Sequence, residues 1–277
     1  MPEGFRNTLV ETMKAFGGIA DLAEFVITAT GNDLPWVTVD DTSNEGEILG
    51  ENDTVGEQEI LFGGRKLKAH IYSSKMVKVP RALLQDTVFD LESFLPRKLG
   101  ERIGRRSARS WITGTGVDEP EGITTNITIG KTGAGGQTTS VIYNDLIDLE
   151  HSVDPAYRGP NARFVLADSA LKVLRKIVDG QSRPLWVPVP APGFPATING
   201  RPYAIDNSMP APAASAKSIL FGDIKAAYVI RLVQSIQTLR LAERYAEKLQ
   251  VAFLSFARMD GMLQDPNAVR GYQHPAS

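Results

Sequence analysis

The sequence predicts an α+β protein, and three observations carry that prediction. Residues 80–116 form the longest run of sustained helical period. Short strand-like runs stand before and after it, and in residues 141–227 helix and strand patterns alternate as a separate α/β module. A helix that must bury one apolar stripe, with strands from both ends of the chain to receive it, is the signature of that class.

The helix comes first because the other elements have to pack on it. Leu84, Val88, Leu91, Leu95, Leu99 and Ile103 recur at spacings of three or four, which places one apolar stripe on one face. Pro80 suits a helix start, where its missing N–H has no intrahelical partner to lose. A rod from Arg81 to Trp111 would be about 45 Å long, with a bend at Pro96. Its back half carries Arg97, Lys98, Arg102, Arg105, Arg106 and Arg109, offset by Glu92 and Glu101. A solvated, salt-bridged face, a charged subunit contact and nucleic-acid binding are the readings of that run, in that order.

Composition sets the outer limits. The 277 residues suffice for a full core and two domains or subdomains. No cysteine is present, which excludes disulfides, thiolate metal sites and a cysteine nucleophile. A formal charge of −2 does not suit a protein that grips nucleic acid along a strongly basic face. No apolar run is long enough for a membrane-spanning helix, and the first residues lack the apolar core of a signal peptide.

Taken in order, the chain opens with an amphipathic segment bearing Leu9, Val10, Met13 and Phe16, ended by Gly17 and Gly18. Residues 34–42 alternate like a strand with a polar end. Between 43 and 79, runs around EQEILFG and KLKAHIYSS read as a two-stranded arm joined near Gly63 and Gly64. The polar stretch before them holds Glu45, Glu47, Glu51, Asp53 and Glu57. Such an arm needs a surface to lie on, because an isolated hairpin is marginal in water; a second subunit or a meander within the same domain would each supply one. After the long helix, glycine and proline mark a tight loop, a short strand and a flexible loop.

In the α/β module, Asn144 and Asp168 are candidate N-caps. Leu171, Leu174, Ile177 and Val178 share one helix face. Six prolines between 183 and 206 exclude central strands there, and Asn199-Gly200 is a hairpin turn signal. The last part reads as strands over YVIRLV, IQTLRLAER and LQVAFLSFARMDGML, closed by DPNAVRGY, with a disordered tail QHPAS.

Catalytic patterns are missing at every point where they would be expected. His70, His151 and His274 lack metal-ligand spacing, no Gly-x-Ser-x-Gly elbow occurs, and IGKTGAGG has Thr125 where a phosphate loop requires glycine. No cofactor is expected, and assembly or binding is the better reading.

At the end of the long helix the sequence resembles a known family. LLQDTVFDLESFLPRKLGERIGR followed by Gly114-Thr115-Gly116 and Pro120-Glu121-Gly122-Ile123 is similar to the spine helix and next loop of phage major capsid proteins of the Hong Kong 97 fold. Arg183-Pro184-Leu185-Trp186, then Gly200, Pro202 and Met209-Pro210, then Phe221-Gly222-Asp223 continue the family's order. Arg258-Met259-Asp260-Gly261 and Asp265-Pro266-Asn267-Ala268 complete it.

The resemblance implies an N-terminal arm and first strand (1–42), an extended β-hairpin E-loop (43–79), a peripheral domain with the spine helix (80–140), an axial α/β domain (141–227), and peripheral completion with the tail (228–277). It implies a non-enzymatic structural protein whose copies form pentamers and hexamers of an icosahedral shell around packaged double-stranded DNA. Implied partners are further copies of the chain, a portal, decoration or cement proteins, and DNA in weak non-specific contact, with no membrane. The implied location is the virion, and the host cytoplasm during assembly.

Glu47, Glu51, Arg65, Lys66 and Lys68 on the arm, Arg97, Arg102 and Arg106 on the helix, and Arg183 and Trp186 in the proline-rich loop are the implied subunit-interface residues. Many relatives carry a scaffolding segment before the arm; this chain is read as a mature form, a truncation or a member without it. Some relatives crosslink an E-loop lysine to an asparagine, but EKLQVAF has no asparagine at the acceptor position, so no autocatalytic crosslink is expected. An encapsulin-type nanocompartment shell and a soluble enzyme of unknown type are the alternatives.

Overall fold

The computed structural model describes residues 18–40, 47–50, 54–55, 61–86, 91–179, 181–182, 197–234 and 237–277. A short helix, α1 (Gly18–Leu22), leads into β1 (Glu24–Thr28) and β2 (Leu34–Asp40). Then come β3 (Leu61–Leu67), β4 (His70–Ser73) and β5 (Val77–Pro80). Helices α2 (Arg81–Asp86) and α3 (Leu91–Thr113) follow, the second containing Pro96. β6 (Ile129–Thr132), α4 (Tyr143–His151), β7 (Arg163–Leu166) and α5 (Asp168–Leu174) come next. β8 (Thr197–Ile198), β9 (Arg201–Ile205) and β10 (Lys217–Gly222) precede α6 (Ile224–Ala227). The chain ends with β11 (Tyr228–Val233), β12 (Gln237–Leu241), β13 (Gln250–Leu263) and β14 (Val269–Gln273).

Among the described residues two six-stranded sheets form, and the long strand β13 organises the first. It pairs antiparallel with β11 and β12 on one side and with β4 and β5 on the other. β1 adds at the edge, parallel to β11. Alternate β13 residues point toward α3, because strand side chains alternate in direction. Val251 and Phe253 cluster with Leu99 and, more loosely, Leu91 and Leu95. Ala257, Met259 and Leu263 continue that face against Ile103, Trp111 and Ile112. Each such side chain taken fully from water contributes about 1.5–3 kcal/mol to the stability of this seam.

The second sheet runs β6-β14-β10-β7-β9-β8. Phe164, Leu166, Ile219, Phe221 and Tyr272 cover one face with Leu146 and Leu149 of α4 and Leu171 and Leu174 of α5. Val165 and Leu220 point the other way into the core that holds Trp111, so both sheets share one apolar interior. Asn199 and Gly200 turn β8 into β9 with φ of 51° and 77°, the left-handed pair that a two-residue hairpin of this kind requires.

Several expectations need correcting. The arm is not a hairpin turned at Gly63 and Gly64. Those glycines lie inside β3, opposite Thr38 and Val37 of β2, so β2 is the second strand of the arm. The KLKAHIYSS run divides: its Leu67 ends β3, while His70–Ser73 joins β13 as β4. β6 and β14, which the sequence reading places in the peripheral part, both lie in the second sheet.

Asn144 is not an N-cap; α4 begins at Tyr143, and Asp145 accepts the Ile142 N–H at 3.2 Å. Asp168 is already helical, after Ala167 as cap. Val178 falls beyond α5 and is exposed, so it does not share the buried face of Leu171 and Leu174. The tail is packed: His274 is buried and bonded to Ser218 at 2.8 Å. Val88, Leu9, Val10, Met13 and Phe16 lie outside the described residues.

Candidate functional site

The end of α3 builds the site. A helix leaves its last carbonyl groups without intrahelical partners, and the loop that follows returns to satisfy them. Ile123 N donates to Trp111 O at 2.8 Å, Thr124 N to Ile112 O at 3.0 Å, and Gly122 N to Gly114 O at 2.9 Å. Side-chain hydroxyls of Thr124 and Thr125 reach the Ile112 and Gly114 carbonyls. This wrap brings Gly122 so close that a Cβ there would stand 2.5 Å from both Gly114 N and Ile112 O. The loop is then fastened to the first sheet: Glu121 N donates to Gly261 O at 3.0 Å, and the Tyr228 hydroxyl to Glu121 O.

The root of the β2–β3 arm closes onto that loop. Arg65 donates to Leu263 O at 3.0 Å and pairs with the Glu121 carboxylate, whose other oxygen accepts Asn126. Lys68 N and Gly261 N both donate to the Asp260 carboxylate, and His70 Nε2 stands 3.7 Å from it. Leu67 is buried with Val229 and Met262, with Leu34, Trp36 and Val26 around them. Arg231, only 1% exposed, ties the arm to the amino-terminal strand. Its guanidinium donates to Thr28 Oγ1 and to the carbonyls of Thr30, Asn32, Leu67 and Lys68.

A solvent-open cleft of about 310 Å³ lies between arm root and loop, lined by Arg65, Lys66, Lys68, His70, Glu119 and Asp260 among others. Burial pushes the Asp260 carboxyl above the ordinary range, against the pull of its two N–H donors and of His70 and Arg231. Burial also raises the Tyr228 hydroxyl strongly and holds Tyr72 at about 12, with the Asp260 charge adding to both. Glu119 bonds Thr115 N and Arg106, and Glu121 bonds Arg65 and Asn126. The cleft carboxylates are thus engaged in holding backbone and side chains together, an arrangement that fastens one segment to another. Among the described residues no three His, Asp or Glu side chains converge as metal ligands.

The predicted site residues fall in separate places. Arg65, Lys66 and Lys68 line the cleft, Lys68 holding Asp260 through its backbone rather than its ammonium group. Arg97, Arg102 and Arg106 are exposed along α3, with Arg106 paired to Glu119 at 3.0 Å. Glu47 is exposed, and Glu51, Arg183 and Trp186 lie outside the described residues. Sequence reasoning missed Arg231, Glu121 and Asp260 as fasteners. Arg231 did leave a signal: it is the only charge in YVIRLV, a run buried at every position.

The sequence profile of the phage capsid family matches residues 1–273. The chain belongs to the phage capsid family. Among solved structures, the capsid of the native GTA particle is 26% identical, with 93% of this chain and 90% of that chain covered and a TM-score of 0.81. A solved structure from Mycobacterium phage Cain is 14% identical at a TM-score of 0.67, covering 94% and 91%. The capsid of cyanophage P-SCSP1u is 12% identical at 0.59, covering 92% and 87%. Among curated protein sequences no match is found. This phage capsid family member therefore has the Hong Kong 97 fold expected from its motifs and is a structural shell protein.

Proposed function

We propose that this chain is the major shell subunit of a virion, assembling as pentamers and hexamers into an icosahedral wall around double-stranded DNA. The family match across nearly the whole chain carries this reading, and it favours a phage shell over a nanocompartment shell. The fastened arm supports it: the β2–β3 ladder leaves the body at Leu67 and runs outward to Asp40 and Leu61. A projecting pair of strands gains most by lying on a neighbour. The exposed cations of α3 and the arm's acidic stretch are the contact surfaces in this picture, while a portal, decoration proteins and packaged DNA are the outer partners. The subunit carries out no chemistry of its own in this reading. Assembly takes place in the host cytoplasm.

Electron microscopy of the purified protein under assembly conditions tests this directly. Closed shells with fivefold and sixfold capsomers are expected. A protein that stays monomeric at every concentration and salt, or that turns over a substrate as a monomer, would overturn the reading.

A further inference from the structure

We propose that Asn199 is a self-modification site: the backbone nitrogen of Gly200 closes on its carboxamide, expels ammonia and leaves aspartate or isoaspartate in the turn between β8 and β9. The inference is independent of the shell reading, because it concerns a reaction of the subunit with itself and water. Asn199-Gly200 is the one asparagine–glycine step in the sequence.

The turn presents both reacting groups unengaged. Glycine has no β-carbon to crowd a five-membered ring, and Gly200 is exposed with open space where a Cβ would stand. Its N–H, the nucleophile, donates no hydrogen bond among the described residues. The leaving group is unheld as well: Asn199 Nδ2 is buried and has no hydrogen-bond partner there. An unpaired buried donor is costly, and loss of ammonia removes it outright.

Ring closure needs the turn to open, since the φ of 51° at Asn199 belongs to the closed hairpin. Little holds the hairpin shut. β8 has only two residues; Ile198 and Arg201 flank the turn, and Thr197 faces Pro202, which has no N–H to give. A ladder this short opens locally at low cost. Asn207-Ser208 shows the opposite arrangement. Ser208 N donates to Asp206 Oδ1 at 2.8 Å, and Asn207 Oδ1 accepts Asp168 N at 3.3 Å, so nucleophile and carboxamide are both engaged.

The reaction balances with water alone. Gly200 N attacks Asn199 Cγ; the N–Cγ bond forms, the Cγ–Nδ2 bond breaks, and the Gly200 proton leaves with Nδ2 as ammonia. Water then opens the cyclic imide at one carbonyl to give aspartate, or at the other to give isoaspartate. Both products carry a new negative charge at neutral pH. Isoaspartate also lengthens the main chain ahead of Arg201, which donates to Glu150 at 2.9 Å and to Arg158 O at 2.9 Å. Conversion therefore shifts the side chain that ties this hairpin to α4.

Incubating the folded full-length chain in neutral buffer, followed by peptide mass spectrometry, tests the proposal. Chymotryptic cleavage after Tyr203 separates the two asparagines. The Asn199 peptide should gain about one mass unit and divide into two isomers, at least about tenfold faster than the Asn207 peptide changes. An isoaspartyl methyltransferase should label the aged protein at that peptide. Asn199→Gln, which would need a six-membered ring, should abolish the labelling. An Asn199 peptide that stays unchanged in the folded chain, while urea-unfolded chain converts, would show that the hairpin protects the turn and would overturn the proposal. Equal rates at Asn199 and Asn207 would overturn it too, because the unengaged groups would then confer nothing.

Discussion

The guanidinium of Arg231 donates to the carbonyl oxygen of Leu67 at 2.7 Å, although the two residues stand 164 positions apart. The same side chain holds Thr28, Thr30, Asn32 and Lys68, so a single buried cation sets where the arm leaves the body. Replacing it by methionine leaves four carbonyl oxygens in search of donors. We expect Arg231→Met to lower unfolding free energy by about 3 kcal/mol or more. Urea denaturation of the unassembled protein checks this, and a loss below about 1 kcal/mol would show that water replaces the guanidinium without cost.

Asp260 should give stability a distinct pH dependence. The groups facing it are His70, Arg231 and the hydroxyls of Tyr228 and Tyr72. Because burial raises its folded pKa, the native state binds this proton more tightly than the unfolded chain does. Its contribution is then full below the unfolded carboxylate value of about 4 and is lost as pH rises through the folded value. The stability of the wild type relative to Asp260→Asn should therefore decline across that window, as read from denaturation curves at stepped pH. A flat difference, or one that rises, contradicts the assignment.

Gly122→Ala tests the wrap at the end of α3. The new methyl would press on backbone atoms, Gly114 N and Ile112 O, which cannot swing aside as a side chain could. A loss of about 3 kcal/mol is expected, at the upper end for overpacking. Thermal unfolding measures it; a change under about 0.5 kcal/mol would mean that the loop is free to lift.

Removing residues 274–277 should also be felt. His274 is buried, bonded to Ser218 at 2.8 Å and to Gln137 O at 3.1 Å, and Pro275 O accepts Ser215 N. The truncated chain should lose about 2 kcal/mol. Unchanged denaturation would return the tail to the disordered state that its composition suggests.

Arm and core separate at a definite place. Deleting Gly46 to Lys68 would take out buried Leu67 and the N–H that Asp260 accepts, damaging the fold itself. Replacing only residues 41–60 with a short turn keeps the β2–β3 root. That shortened protein should melt within a few degrees of the parent yet fail to form shells, as sedimentation would show.

What could be read from the sequence follows from how local each signal is. The stripe from Leu91 to Ile103 and the turn at Asn199-Gly200 are set by neighbours a few residues away, and both stand where their patterns put them. The partner of β3 is a different matter. β2 and the KLKAHIYSS run are both plausible mates by composition, and only the fastening of Leu67 beside Met262 and Val229 chooses between them. DPNAVRGY reads as one more strand with nothing to say which sheet receives it; β10 and β6 do so because Tyr272 fills the core beside Phe221. Glu121 and Asp260 look like two among many surface acids until the loop and the arm root close over them.

Strand β13 has one more consequence. It is the central strand of the first sheet, yet it ends at Leu263, and β14 lies deep in the second sheet at Val269–Gln273. β1, near the start, waits for β11 some two hundred residues later. Contacts this distant in sequence close late and slowly. During synthesis neither sheet can be completed until β13 and β14 have left the ribosome, so both sheets close only after those late strands emerge. A nascent subunit still short of those strands therefore has neither completed sheet to offer to a growing wall.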